Sequence, residues 1–205
     1  MRHDRQTWWA PRRATWWVGV LFAIGSACFL VGPFPGFVEL VGSEVDSLVF
    51  FVGSIFFTAA ATLQLLGTGI AGRGLDWWSS AVQVAGTIFF NISTFDALQR
   101  ALDTTQYNRL VWAPDAFGSI CFLVSGYLAY FAVCGRPFSR PRRTRGLWIA
   151  AINLLGCVAF GISAVASYVI PATGSALDLA RANATTAFGA LCFLIGAVLL
   201  LPEQD

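Results

Sequence analysis

The stretch Trp17-Val18-Gly19-Val20-Leu21-Phe22-Ala23-Ile24-Gly25-Ser26-Ala27-Cys28-Phe29-Leu30 carries no charge, and it places a phenylalanine four positions after a glycine that is followed by a small residue. On a helix, positions i and i+4 share one face a turn apart, so the glycine leaves a notch next to an aromatic ring. The arrangement recurs as Gly53-Ser54…Phe57, Gly86-Thr87…Phe90, Gly118-Ser119…Phe122, Gly156-Cys157…Phe160 and Gly189-Ala190…Phe193. Each copy lies in its own apolar stretch of about 20 residues, the length that crosses a bilayer. The pattern predicts an all-α polytopic membrane protein with six spans, at 15–34, 47–67, 77–98, 111–134, 147–170 and 184–201. Residues 1–14 and 202–205 are then tails flanking one transmembrane domain, 15–201.

Composition agrees. The 205 residues are 57% hydrophobic and 12% charged, with mean hydropathy +0.67, well outside the range of soluble domains. Six spans leave only short connections, so any function resides in the bilayer or at its surfaces. The chain has a net charge of +2 and all thirteen basic residues are arginines. They flank apolar spans and form no extended basic face, which argues against nucleic acid as a partner.

Arginine placement sets the expected orientation. Ten of the thirteen fall in the N-terminal tail (Arg2, Arg5, Arg12, Arg13), at Arg73, or between Arg136 and Arg145. Both termini are therefore expected in the cytoplasm, with the protein in the cell's inner (plasma) membrane. Seven of eight tryptophans (Trp8, Trp9, Trp16, Trp17, Trp77, Trp78, Trp148) fall on that side, where indoles sit among headgroups. Membrane lipids are the expected partners, and the Arg136–Arg145 loop would attract anionic headgroups at about 1 kcal/mol per charge. The first span is too long for a signal-peptide core and lacks a clean cleavage site, so a retained helix is expected.

A finer repeat runs through the spans. In the odd-numbered ones a tryptophan precedes the motif glycine by eight residues: Trp17/Gly25, Trp78/Gly86 and Trp148/Gly156. An arginine stands three to five residues before that tryptophan, as Arg13, Arg73 and Arg145. The unit is thus a two-span hairpin used three times. Two inverted halves of three spans would relate Ala116–Leu123 to Ala23–Leu30 but leave the tryptophans unexplained.

Seven residues after each glycine comes another small residue: Gly32, Ala60, Ser93, Ser125, Ser163 and Gly196. Small residues on one face let helix backbones approach, which drives association in lipid. Gly25, Phe29, Gly53, Phe57, Gly86, Phe90, Gly118, Phe122, Gly156, Phe160, Gly189 and Phe193 therefore read as a helix-packing code. Cys28, Cys121 and Cys192 stand at one motif position that elsewhere holds Phe56, Phe89 or Ala159, so volume rather than metal ligation explains them. No CxxC pair occurs and His3 is the only histidine, so neither a metal site nor a cofactor is expected.

Polar residues inside spans are the candidates for function. Gln83, Thr87, Asn91 and Thr94 form a stripe on the third span, and Asp96 and Asp115 fall at similar depth near its outer end and in the fourth span. They describe an outward-facing polar vestibule, centred on Asn91, Asp96 and Asp115, that binds a cation or relays protons. The competing account has Gln83 and Asn91 bridging helices while the acids pair with Arg100 and Arg109. Asn153, Ser163, Ser167 and Tyr168 in the fifth span, and Thr58, Thr62 and Gln64 in the second, read as helix-joining groups. The sequons at Asn91 and Asn183 lack supporting context.

The paired motifs Gly25-Ser26…Phe29 and Gly53-Ser54…Phe57, and more loosely Gly118-Ser119…Phe122, resemble the YrhK-like family of small bacterial membrane domains. The resemblance implies paired short apolar helices and carries no activity, cofactor or site residues. Exclusive use of arginine, with abundant Ala, Gly and Val, points to a GC-rich bacterial source. No nucleophile–base set or phosphate loop is present, so an enzyme is not expected. The leading expectation is a non-enzymatic structural or accessory membrane protein, and the alternative is a small-solute or ion transporter or channel. Small-residue faces would equally suit a homo-oligomer.

Overall fold

The computed structural model describes residues 8–69, 73–98, 102–135 and 144–202. Arg2, His3, Arg5, Arg100 and the arginines of 136–143 lie outside the described residues. Among the described residues the fold is all-helical apart from one pair of two-residue strands.

Six long helices carry it: α1 (Ala14–Val31), α3 (Ser43–Gly67), α4 (Leu75–Ala97), α6 (Ala113–Cys134), α7 (Arg145–Ala166) and α8 (Leu179–Leu200). Short α2 (Phe37–Val41) precedes α3, and α5 (Thr104–Tyr107) leads through a π-helical segment, Asn108–Trp112, into α6. Strand β1 (Val169–Ile170) pairs antiparallel with β2 (Ser175–Ala176) between α7 and α8. The fifth expected span thus ends at Ala166, four residues short of its expected limit of 170, because Val169 and Ile170 pair with the returning chain. Asp178 stops that excursion by accepting the Arg181 amide at 2.9 Å as the N-cap of α8.

Among the described residues, five stretches are long and apolar enough to cross a membrane: α1, α3, the continuous Thr104–Cys134, α7 and α8. Helix α4 is long enough, at 23 residues, but its Ser79, Ser80, Gln83, Thr87, Asn91, Ser93 and Thr94 keep it out of that group. Those polar groups face protein. Ser79 Oγ donates to the Ser125 carbonyl on α6 at 2.9 Å, Asn91 Nδ2 donates to Thr58 Oγ1 on α3 at 2.9 Å, and Thr94 and Ser54 hydroxyls meet at 3.0 Å.

The molecule is inverted relative to a soluble domain. Serines 26, 54, 79, 80, 93, 119, 125 and 163 and Thr87 are buried, while Leu40, Leu66, Phe95, Phe117, Ile120 and Val165 are exposed. An apolar exterior over an interior that mixes hydroxyls and small residues with phenylalanine rings is what a hydrocarbon solvent permits.

Each long helix packs on the next along the chain, and α8 returns to α1, closing a ring in the order α1, α3, α4, α6, α7, α8. The motif glycines explain the closeness of three of these pairs. A methyl built on Gly25 would lie 2.8 Å from Phe57 Cδ2 and 2.9 Å from the Gly53 carbonyl oxygen, and one on Gly53 would lie 2.9 Å from Phe29 Cδ2. Gly86 and Gly118 meet Phe122 and Phe90 in the same reciprocal way, as do Gly156 and Gly189 with Phe193 and Phe160. Cys28 and Cys121 share those contacts, their Cβ atoms abutting Gly53 and Gly86.

The ends of the ring differ. At one, here the terminal side, α1 begins and α8 ends, with Gly19 against Ala197 and Leu200. Trp8, Trp9, Trp17, Trp78 and Trp148 are exposed there, near the starts of α1, α4 and α7, and the Arg73 guanidinium lies 5.0 Å from the Trp77 ring centre. The far side carries α2, α5 and the strand pair. Asn108 binds that pair in place as a strand would: Nδ2 donates to the Val169 carbonyl at 2.6 Å and Oδ1 accepts the Val169 amide at 3.1 Å.

Candidate functional site

The six motif phenylalanines converge inside the ring. Phe29, Phe90 and Phe160, from α1, α4 and α7, form one triangle with centroid separations of 6.5, 6.2 and 6.3 Å. Phe57, Phe122 and Phe193, from α3, α6 and α8, form a second with separations of 6.3, 5.7 and 5.7 Å. The triangles join through Phe29–Phe57 at 5.6 Å, Phe90–Phe122 at 4.9 Å and Phe160–Phe193 at 5.5 Å. The helices alternate in direction, so a fixed offset of four residues from glycine puts the first triangle toward the far side and the second toward the terminal side. Phe122, which touches four of the other five rings, is 1% exposed.

A cavity lies against each side of the prism. The terminal-side one is about 430 Å³ and is lined from all six long helices, its polar wall including Gln64, Asp76, Gln83 and Asn153. The far-side one is only about 40 Å³, lined by Ser54, Asp115, Ser119, Ser163 and Thr186 over the phenylalanine rings. By volume it holds one or two water-sized bodies.

One register places these side chains. Three residues before each glycine of α1, α4 and α7 stand Phe22, Gln83 and Asn153, and all three line the terminal-side cavity. The matching positions of α6 and α8 are Asp115 and Thr186, which line the far-side cavity. Asn153 projects into the room left by Gly196, and its Oδ1 is buried without a hydrogen-bond partner among the described residues.

Asp115 sits just past the π-helical segment. Pro114 has no amide hydrogen and its ring crowds the carbonyl four residues back. The widened turn at Asn108–Trp112, with the Ala113 amide reaching back to the Asn108 carbonyl, accommodates it. Trp112 anchors this turn by donating from Nε1 to the Ala164 carbonyl on α7 at 2.7 Å.

The polar stripe of α4 is divided among different surroundings. Gln83 opens to the terminal-side cavity, whereas Thr87 is fully buried with its hydroxyl donating to the Val84 carbonyl at 2.8 Å. Asn91 and Thr94 bridge to α3, and Asp96 lies half-buried near the end of α4. Asp115 alone of Asn91, Asp96 and Asp115 lines the far-side cavity, and the prism separates it from Gln83. Ser54, Ser119, Ser163, Thr186 and Asn153 also line cavities. Their signal in the sequence is the register three before or one after the motif glycine, or seven after it for Ser163.

Comparison with family models, with curated proteins and with solved structures finds no match. The functional reading therefore rests on the site itself.

Proposed function

We propose that this chain is a six-span membrane protein, three helical hairpins about a central axis, that conducts a small solute along that axis and is held closed by the six phenylalanines. The observation that carries the reading is the order cavity, aromatic prism, cavity, each cavity setting a few polar side chains in a mainly apolar wall, with side chains from every long helix converging on it. A bundle built only for rigidity has no use for Gln83, Asn153 and Asp115 turned inward. Intramembrane polar groups are expensive and mark pathways.

Helix α4 crosses as the sixth span in this scheme. Its 23 residues reach about 35 Å, and Ser79, Asn91 and Thr94 on its polar face bond to neighbouring helices. Each hairpin is one glycine–phenylalanine unit, and the YrhK-like resemblance of the first two helices would describe one such unit. The arginine distribution supports cytoplasmic termini in a bacterial plasma membrane, and no catalysis is proposed.

A purely structural role is the second reading, favoured by the density of reciprocal glycine packing. Proteoliposomes separate the two. Replacing Phe122 and Phe193 by alanine should open a passage and raise small-solute or ion flux at least tenfold over the parent. In a cysteine-free background, Asn153→Cys should react with a hydrophilic thiol reagent from the terminal side and be protected from the far side. Folded protein without flux in either form, and with position 153 unreactive from both sides, would establish the structural reading instead.

A further inference from the structure

We propose that the far-side cavity binds one dehydrated monovalent metal cation, held by the Asp115 carboxylate and the hydroxyl oxygens of Ser54, Ser119, Ser163 and Thr186. The inference rests on the conduit reading for its route of access, and it names the ion that route would serve.

Two observations converge. The Asp115 carboxylate faces a cavity inside a membrane-spanning helix, and among the described residues it has no ion pair and no hydrogen bond, its electrostatic neighbour being the uncharged phenol of Tyr107. A buried charge normally acquires a partner or a metal. The hydroxyl hydrogens, moreover, are already committed outward. Ser54 donates to the Phe51 carbonyl at 2.8 Å, Ser119 to Phe160 at 3.4 Å and Ser163 to Ala182 at 2.9 Å. With the Ser163 hydrogen so used, the 2.6 Å contact to Thr186 is donated by Thr186. What these four groups offer the cavity is lone pairs. Lone pairs beside a carboxylate attract a cation and repel an anion, and an all-oxygen set suits a hard ion.

Size and charge narrow the choice. A cavity of about 40 Å³ admits an ion stripped of most of its water. One carboxylate balances one positive charge, whereas a divalent ion would leave an uncompensated charge where the dielectric is low. The register shows the site to be local: the position of Asp115 is taken by Phe50 on α3 and Thr186 on α8, so one hairpin supplies the charge.

The test uses the purified full-length chain in detergent and reads thermal stability and 22Na⁺ or 86Rb⁺ binding, with choline as the inert cation. The parent should be stabilised by Na⁺ or K⁺ over choline, saturably. Asp115→Asn should abolish that dependence, and Thr186→Val, which keeps shape and loses an oxygen, should weaken binding about tenfold (about 1.4 kcal/mol). If Asp115→Asn does not fold, Ser119→Ala and Thr186→Val carry the test alone. Equal stability in Na⁺, K⁺ and choline overturns the proposal, as does cation dependence that survives these substitutions. Stability that follows pH identically in all three salts assigns the site to a proton, and also overturns it. Cation binding without flux would keep this site and remove the conduit reading.

Discussion

Gly25→Ala adds one methyl to the interface of α1 and α3, and the structure determines its consequence. The methyl would lie 2.8 Å from Phe57 Cδ2 and 2.9 Å from the Gly53 carbonyl oxygen. Ordinary contact begins near 3.4 Å, so a gap of about half an ångström must open. Phe57 is 3% exposed and enclosed by other rings, and the carbonyl belongs to the α3 backbone. The helices themselves must separate. Overpacking of this kind costs about 1–3 kcal/mol, against about 1 kcal/mol gained from replacing glycine by alanine within a helix. The net loss should be about 1 kcal/mol, and Gly25→Val should lose more. Gly67→Ala is the matched control, because a methyl there meets nothing within 4 Å. It should be neutral or slightly stabilising. Reversible unfolding in mixed micelles, followed by circular dichroism, compares them. Adding Phe57→Leu to Gly25→Ala should restore only part of the loss, because the carbonyl contact remains. If Gly25→Ala proves as stable as Gly67→Ala, close approach of α1 to α3 is not what the motif provides.

Other consequences follow from particular contacts. Ser79→Ala removes the 2.9 Å bond to the Ser125 carbonyl and should lower stability by about 0.6 kcal/mol, the mean for such bonds in lipid, measurable by the same unfolding assay. Asn108→Leu removes both bonds to Val169; hydrogen exchange at 169–176 should accelerate at least tenfold while exchange in α7 is unchanged. Gly196→Ala intrudes on the Asn153 amide. It should destabilise by about 1–3 kcal/mol, and an added Asn153→Ala should rescue it more fully than Phe57→Leu rescues Gly25→Ala, since a side-chain amide rather than a backbone carbonyl stands in the way.

The helices were legible because they rest on local rules. Hydropathy marks a span wherever about 20 apolar residues run together, and a four-residue offset puts Gly25 and Phe29 on one face in any helix. The same rules misplaced the end of the fifth span, since Val169 and Ile170 are apolar enough to extend a helix and only their pairing with Ser175 and Ala176 draws them out of it. Helix α4 shows the opposite limit. Its serines, threonines and amides weaken the apolar signal, and the neighbouring α3 and α6 account for the presence of Ser79, Asn91 and Thr94 inside a bundle.

The candidate site was less legible because sharing a stripe on one helix differs from sharing a cavity. Gln83 and Asn91 lie on the same stretch of α4, yet one opens to the terminal-side cavity and the other is used on Thr58. Ser163 and Thr186 are 23 residues apart in the chain and 2.6 Å apart in space.

By itself the sequence determined that the chain is helical, apolar on its outside and built on a glycine–phenylalanine unit, since composition and periodicity act residue by residue along a helix. Only the tertiary structure decided what those phenylalanines do. Ring closure of α8 on α1 turns six separate side chains into one prism, because three-dimensional closure is invisible to any local pattern. That closure also sets Asp115 and four hydroxyls around a single small cavity.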